Sequence, residues 1–162
     1  MLGPLHTQKA ASTFSEAIKS LRSSGAEILA GGGLFDASEF DGHLAQGFYA
    51  RPTIAQPVSS DPSQGLWRHE TFAPILNVAV FDELEEAIAL NNAVPQGLSS
   101  SLWTRDIRNV GVWIGPAGSD CGIVNVRQLA IDHDFNTIKR RMTVVGECGY
   151  QWGGDWRCVW WK

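Results

Sequence analysis

The sequence predicts an α/β fold in which helices cover a partial, open sheet of parallel strands. Three apolar runs, ILNVAVF, LSSSLW and CGIVNV, have the length of buried strands. A helical pattern with short connections separates each run from the next, which gives a β-α-β-α-β order. This order predicts parallel strands joined by right-handed crossovers, with helices packed on the sheet.

The N-terminal part is predicted to begin with a helix over residues 8–24. Thr7 is its expected N-cap, and Gly25 stands where a C-terminal glycine is favoured. AEILA is a short strand that ends at the glycine run GGG, and a polar, irregular region follows to about residue 46. GFYARPTI is expected to form a second short strand, which Pro52 restricts to a sheet edge or a strand start. The apolar face of the helix consists of Ala10, Phe14, Ala17, Ile18 and Leu21.

The two later helices have recognisable starts. Asp82 is the expected N-cap of the segment DELEEAIALNN, with Glu85 three residues later in a variant of the capping box. Asp106 is expected to open the next helix. The predicted apolar face of that helix consists of Ile107, Val110 and Ile114.

Composition limits the possible partners and compartments. The chain has 162 residues and a net charge of −4, which argues against a nucleic-acid partner because phosphate binding requires concentrated positive charge. No apolar run is long enough to span a bilayer, and no secretory signal is visible. Three cysteines are an odd, sparse set that suits a reducing compartment. We therefore expect a cytoplasmic protein, or a mitochondrial one if a targeting segment precedes this sequence.

Most chemistry-bearing motifs have a structural interpretation. GGG follows a strand but precedes no helix, which favours a turn over a phosphate loop. Cys121 has no identifiable base nearby and is interpreted as a small, partly buried apolar residue. Ser99, Ser100 and Ser101 lie inside a strand and are interpreted as packing and surface residues. Histidines and cysteines lack the paired spacing of zinc sites, so no metal is expected.

The segment WRHETFAP, directly before a buried strand, places Glu70 and Phe72 at the entrance to the sheet. Glu70 could cap the backbone or pair with Arg68, and Phe72 could fold into the core. In doubly wound sheets, ligands bind at the carboxyl ends of strands, whereas these residues lie at an amino end. A ligand that they touch would therefore have to lie on a neighbouring domain.

Several motifs, in order, resemble those of the aldehyde dehydrogenase superfamily. ETFAPIL resembles its E-x-F-G-P segment, and GFYARPTI resembles G-Y-[FY]-x-x-P-T-[IV]. NNAVPQGLSSSLWTRD and GSDCGIVNV, which contains Asn125, also match in order and spacing. Gln96-Gly97 in place of Tyr-Gly and Ala73 in place of Gly are similar to the antiquitin branch, the aminoadipate-semialdehyde dehydrogenases. The resemblance covers residues 3–126.

The resemblance implies a cofactor role for the entrance segment. Glu70 would bind the hydroxyls of the nicotinamide ribose of NAD, and Phe72 would position the nicotinamide ring. The family oxidises aldehydes through a cysteine nucleophile, hydride transfer to NAD and a water activated by glutamate. Both catalytic residues lie N-terminal to the matched part, so no catalytic residue is assigned here. The family also implies a small aldehyde substrate and a homo-oligomer.

After residue 126 the character of the sequence changes. Residues 1–126 carry 7 basic and 13 acidic residues, whereas residues 127–162 carry 6 and 4 and hold four of the seven tryptophans. We expect residues 1–126 to be a partial catalytic domain, cut at both ends, and residues 127–162 to be a divergent tail whose end shows no strand alternation. The chain is then an inactive enzyme fragment. The alternative is a non-catalytic protein that docks on a full-length dehydrogenase subunit through its sheet edge and aromatic tail.

Overall fold

The computed structural model describes residues 3–58, 65–128, 141–145 and 156–160. Four α-helices lie in these ranges: α1 (Gln8–Ser23), α2 (Gly65–Arg68), α3 (Leu84–Asn92) and α4 (Ile107–Ile114). The strands are β1 (Glu27–Ala30), β2 (Thr53–Gln56), β3 (Ile75–Phe81), β4 (Ser99–Thr104), β5 (Ile123–Gln128), β6 (Arg141–Val145) and β7 (Trp156–Trp160). Short 3-10 turns, Ala37–Glu39 and Gly42–Gln46, occupy the predicted irregular region.

The described strands form one mixed sheet in the order β1-β2-β3-β6-β7-β4-β5. The neighbours β2 and β3 are parallel, as are β4 and β5, and β7 is parallel to β4. The pairs β1–β2, β3–β6 and β6–β7 are antiparallel. The predicted β-α-β-α-β order and its parallel pieces are confirmed, although β3 and β4 are not adjacent because β6 and β7 lie between them.

The helix α1 forms as its sequence predicts. The Thr7 Oγ1 accepts the Ala10 N–H at 3.1 Å, and Gly25 has a φ of 81°, which glycine adopts without strain. Phe14 and Leu21 are buried on the inner face, in a core that also includes residues from β2 and β3. β2 begins at Thr53, so the predicted second strand starts later than expected and Pro52 lies directly before it.

A second core lies between α3, α4 and β4. It consists of Phe81, Leu84, Ala87, Ile88, Leu102 and Trp113.

The start of α3 differs from the prediction. Its N-cap is Glu83 rather than Asp82, because Glu83 and Glu86 form the reciprocal capping box.

The predicted inner face of α4 was wrong for two of its three residues. Trp113 is fully buried and Val110 packs beside it, whereas Ile107 and Ile114 are exposed. The large indole, three residues after Val110, defines the buried face, and this leaves the two isoleucines pointing away from the sheet. Asp106 is the N-cap of α4, as expected, and accepts the Arg108 N–H at 2.9 Å.

The C-terminal segment contributes two strands that sequence patterns did not predict. β6 pairs with β3, and β7 pairs with β4 on one side and with β6 on the other. Trp156–Trp160 therefore forms a strand although its sequence shows no strand alternation. The rest of the Trp-rich tail, residues 129–140, 146–155 and 161–162, lies outside the described residues.

Candidate functional site

The loop of residues 69–72, called the entrance loop below, lies between α2 and β3 and is fixed at both ends. On the N-terminal side, Trp67 is buried in a small cluster with Ala79 and Val94. On the C-terminal side, Ala73 is 2% exposed and belongs to the core beneath α1. The Pro74 carbonyl oxygen accepts the backbone N–H of Thr53, the first residue of β2, at 2.9 Å. Four residues are therefore held between two anchored points.

Phe72 is the most unusual residue of this loop. Its φ is 50°, and it is the one non-glycine residue with a positive φ in the described part of the chain. For an L-residue, the left-handed region costs about 1–2 kcal/mol. The side chain is also 61% exposed, so burial of the ring does not offset the strain. A strained backbone that presents an aromatic ring to solvent is typical of ligand-binding sites.

Glu70 lies two residues before Phe72 on the same loop and is partly exposed. The structure therefore brings both predicted cofactor residues to one short, anchored segment at the amino end of β3. A partly exposed carboxylate can accept hydrogen bonds from two hydroxyls of a ligand. The alternative in which Phe72 folds into the core is contradicted by its exposure.

Neighbouring loops complete this edge of the sheet. The Gln96 Nε2 donates to the Arg68 carbonyl oxygen at 2.9 Å and joins the loop before β4 to the loop before β3. The Gly122 N–H donates to the Gly97 carbonyl oxygen at 2.9 Å and continues the edge to β5. In the sequence, Gln96 indicates only the resemblance to the antiquitin branch. Its contact with Arg68 was not predicted, because a contact across 28 residues leaves no local pattern.

A polar network supports the turn before β5. The Asn92 side chain donates from Nδ2 to the Gly118 carbonyl oxygen at 2.8 Å, and its Oδ1 accepts the Asp120 N–H at 3.1 Å. The hydroxyls of Ser100 and Ser119 are 2.7 Å apart. Because this network uses its polar atoms to bind the chain itself, its function is to fix the turn.

The serines of β4 were only partly predicted. Ser99, Ser100 and Ser101 are all buried, so the packing interpretation is confirmed and the surface interpretation is wrong. The half-buried side chain of Asn125 approaches the first two of them, with its Nδ2 at 3.4 Å from the Ser99 hydroxyl and from the Ser100 carbonyl oxygen.

Cys121 is buried directly before β5, with its Sγ at 4.0 Å from the Asp120 carboxylate. This placement confirms its interpretation as a buried small residue. Within the ranges that the structure describes, no three His, Cys, Asp or Glu side chains are grouped as metal ligands. The GGG run forms a turn in which Gly31 and Gly32 have positive φ, as expected.

The clearest electrostatic perturbations lie away from the entrance loop. The Asp36 backbone N–H and then the Arg51 guanidinium, 2.6 Å away, hold the pKa of Glu39 below its usual value. Hydrogen bonds from the Arg108 side chain and backbone likewise lower the pKa of Asp106. Both carboxylates are at the surface and stabilise local turns.

A sequence profile of the aldehyde dehydrogenase family matches residues 1–138. The chain belongs to this family. An aldehyde dehydrogenase family 7 member A1 from Pisum sativum is 45% identical over 126 residues, which are 78% of this chain and 23% of the relative. An alpha-aminoadipic semialdehyde dehydrogenase from Mus musculus is 42% identical over 126 residues, 78% of this chain and 22% of the relative. These two relatives bear out the resemblance to the antiquitin branch.

Solved aldehyde dehydrogenases share the fold. One from Burkholderia cenocepacia has a TM-score of 0.67 and 27% identity, over 82% of this chain and 26% of that chain. An indole-3-acetaldehyde dehydrogenase from P. syringae, solved with NAD+, has a TM-score of 0.64 and 27% identity, over 80% of this chain and 24% of that chain. The family member described here thus spans about a quarter of the length of its relatives. None of its described helices has the length and apolar character needed to cross a membrane.

Proposed function

We propose that this aldehyde dehydrogenase chain contributes Glu70 and Phe72 to the nicotinamide end of an NAD site. The observation that carries the proposal is the exposed ring of Phe72, held in a left-handed backbone conformation by a loop anchored at both ends. Strain that no burial offsets is consistent with a residue that its own loop holds in place for a ligand.

The residues present fit the chemistry of that cofactor. Its ribose carries two neighbouring hydroxyls, and the partly exposed Glu70 carboxylate has acceptor sites for both. Its nicotinamide ring is planar, and the exposed Phe72 ring offers a flat apolar surface against which to orient it. NAD supplies the hydride acceptor; Glu70 and Phe72 would supply orientation only. The remainder of the site would come from parts of a complete enzyme that lie outside the segment to which this chain aligns.

We expect the chain alone not to oxidise aldehydes. Cys121 is buried, and the described contact of its Sγ is with the Asp120 carboxylate, so we assign it no role as a nucleophile. In the context of a complete enzyme, the substrate that we propose is aminoadipic semialdehyde, because the relative from Mus musculus carries that name and shares 42% of the aligned residues. Cytoplasmic location and homo-oligomer formation stay predictions from sequence.

The test is a chimaera in which residues 3–126 replace the matching segment of the Mus musculus relative. In this chimaera, Glu70→Gln and Phe72→Leu are expected to raise the KM for NAD and to lower kcat. His69→Gln is the matched control, because His69 is exposed on the same loop and has no proposed role. The proposed cofactor role is wrong if all three variants behave alike. The expected inactivity is wrong if the isolated 162-residue chain reduces NAD with an aldehyde.

A second candidate function is docking on a full-length dehydrogenase subunit without catalysis. Exposed apolar residues on α4 and on β5, which is an edge strand of the described sheet, favour it: Ile107, Val112, Ile114, Ile123 and Val126. Co-purification of the chain with the full-length Mus musculus enzyme tests this candidate. Elution of the two as separate species at micromolar concentration would eliminate it.

A further inference from the structure

We propose that Gln96 is a positioning residue that holds the loop of residues 69–72 in the conformation that presents Glu70 and Phe72. The inference rests on the proposed cofactor role of these two residues. It adds a residue from a different loop, 26 positions after Glu70, that would act through the backbone of the loop at Arg68.

The first argument is the hydrogen bond itself. Arg68 is the last residue of α2, and its carbonyl is one of the backbone acceptors that a helix end leaves without an intrahelical partner. The Gln96 Nε2 donates to this oxygen at 2.9 Å. A carbonyl oxygen can only accept, so the orientation of the Gln96 amide follows from its partner. Gln96 thus caps the end of α2 from a distant loop. The residue that it binds, Arg68, directly precedes the entrance loop.

The second argument is that the same two segments also meet through apolar packing. Val94, two residues before Gln96, lies in the buried cluster with Trp67, which is the neighbour of Arg68. The loop before β4 therefore holds the end of α2 at two points, one apolar and one polar. The apolar contact fixes the distance between the segments, and the hydrogen bond fixes the direction of the Arg68 peptide plane.

The third argument is that Gln96 is itself on a rigid base. The carbonyl oxygens of Gly97 and Leu98 accept the N–H groups of Gly122 and Ile123 at 2.9 and 3.0 Å. These bonds continue directly into the parallel pairing of β4 with β5. Gln96 therefore connects the start of the entrance loop to the edge of the sheet.

Together these contacts explain how a strained residue persists. With Ala73 buried at one end and Arg68 held at the other, four residues must span a fixed gap. A short span between fixed ends restricts the backbone angles available to it, and Phe72 is where the positive φ occurs. Release of the Arg68 carbonyl would let the loop relax toward ordinary backbone angles.

The test uses the full 162-residue chain and the variants Gln96→Met and Gln96→Glu. Both keep the length of the side chain but lose the donor. Gln46→Met is the matched control, because Gln46 is exposed and no side-chain hydrogen bond from it is seen in the described ranges. Equal thermal melts of the three variants establish that global stability is unchanged.

The first readout is the rate of tryptic cleavage at the Arg68–His69 bond, whose carbonyl is the one that Gln96 holds. We expect both Gln96 variants to be cleaved there about two- to tenfold faster than wild type, the range for loss of one neutral hydrogen bond. Cleavage after Arg105, an exposed residue in another loop, serves as the internal reference and should not change.

The second readout reports the conformation of Phe72 directly. A positive φ brings the amide proton of a residue close to its own Hα, which gives a strong intraresidue NOE. We expect this NOE to be strong for Phe72 in wild type and in Gln46→Met, and to weaken in both Gln96 variants. A merely structural glutamine would leave it unchanged.

The outcomes separate the two proposals. Equal cleavage rates and equal NOE intensities in Gln96→Met and Gln46→Met would overturn the positioning role, whatever the cofactor does. If both readouts change while Glu70→Gln leaves the kinetics of the chimaera unaffected, Gln96 positions the loop and the proposed cofactor function is wrong. Neither readout on the 162-residue chain involves NAD, so the positioning test does not depend on binding.

Discussion

Replacement of Phe72 by glycine should be better tolerated than replacement by alanine. Both changes remove the ring, so the difference between them isolates the backbone. At an ordinary position, alanine stabilises relative to glycine by about 0.4–1 kcal/mol through the unfolded state. At the Phe72 φ of 50°, alanine instead carries a left-handed penalty of about 1–2 kcal/mol. The net expectation is that Phe72→Gly is more stable than Phe72→Ala by about 1 kcal/mol.

The measurement is the free energy of unfolding of each variant from urea titrations, with equal m-values required for the comparison. His69 provides the control pair, because it is exposed on the same loop and its φ is not positive. There the order should reverse, with His69→Ala more stable than His69→Gly by about 0.4–1 kcal/mol. If alanine is the more stable replacement at Phe72 as well, the backbone there is not strained, and the main support for the cofactor loop is lost.

Three further predictions test the fold. Gly31→Ala should cost about 1–3 kcal/mol more than Gly42→Ala in chemical unfolding. Both glycines have positive φ, but only at Gly31 would an added Cβ approach a backbone carbonyl oxygen, and equal costs would contradict this packing. Trp113→Ala should cost about 3–5 kcal/mol, whereas Ile107→Ser should change the stability by no more than about 0.5 kcal/mol. A larger loss of thermal stability in Ile107→Ser than in Trp113→Ala would show that the face first predicted for α4 is the buried one. Because hydrogen bonds lower the pKa of Glu39, its stabilisation is present above its ordinary pKa and is lost as pH falls through the folded-state value. Glu39→Gln should therefore flatten the acid limb of a stability–pH curve, and an unchanged limb would show that the hydrogen bonds from Asp36 and Arg51 do not stabilise the Glu39 carboxylate in solution.

The sequence predicted those elements whose signals are local. β3 was predicted with its observed bounds, because its apolar run is flanked by a proline and an acidic helix start. α1 was predicted with its cap, its inner face and its terminal glycine, since each follows from spacing along one helix. The Glu70–Phe72 segment was found through resemblance, because a carboxylate and a ring before a strand carry no specific signal on their own.

The errors have a common physical origin in contacts between distant segments. The face of α4 was misjudged because two exposed isoleucines share a helical stripe, whereas Trp113 faces the core for reasons of tertiary packing. β7 was missed because the sequence of Trp156–Trp160 lacks alternation and because its partners, β4 and β6, are separate segments of the chain. Gln96 was not recognised because its partner lies 28 residues earlier.

The position of the entrance loop also explains why the rule for doubly wound sheets did not locate it. That rule places ligands at the carboxyl ends of strands, where crossover loops open a crevice. Here the exposed, strained residue precedes β3, and the loops that surround it precede β4 and β5. Under the proposed function, a ligand at this edge would be bound mainly by another part of a complete enzyme, and this sheet would need only to present a ring and a carboxylate in fixed positions. Fixed positions require anchors rather than a deep crevice, and Trp67, Ala73 and Gln96 are such anchors.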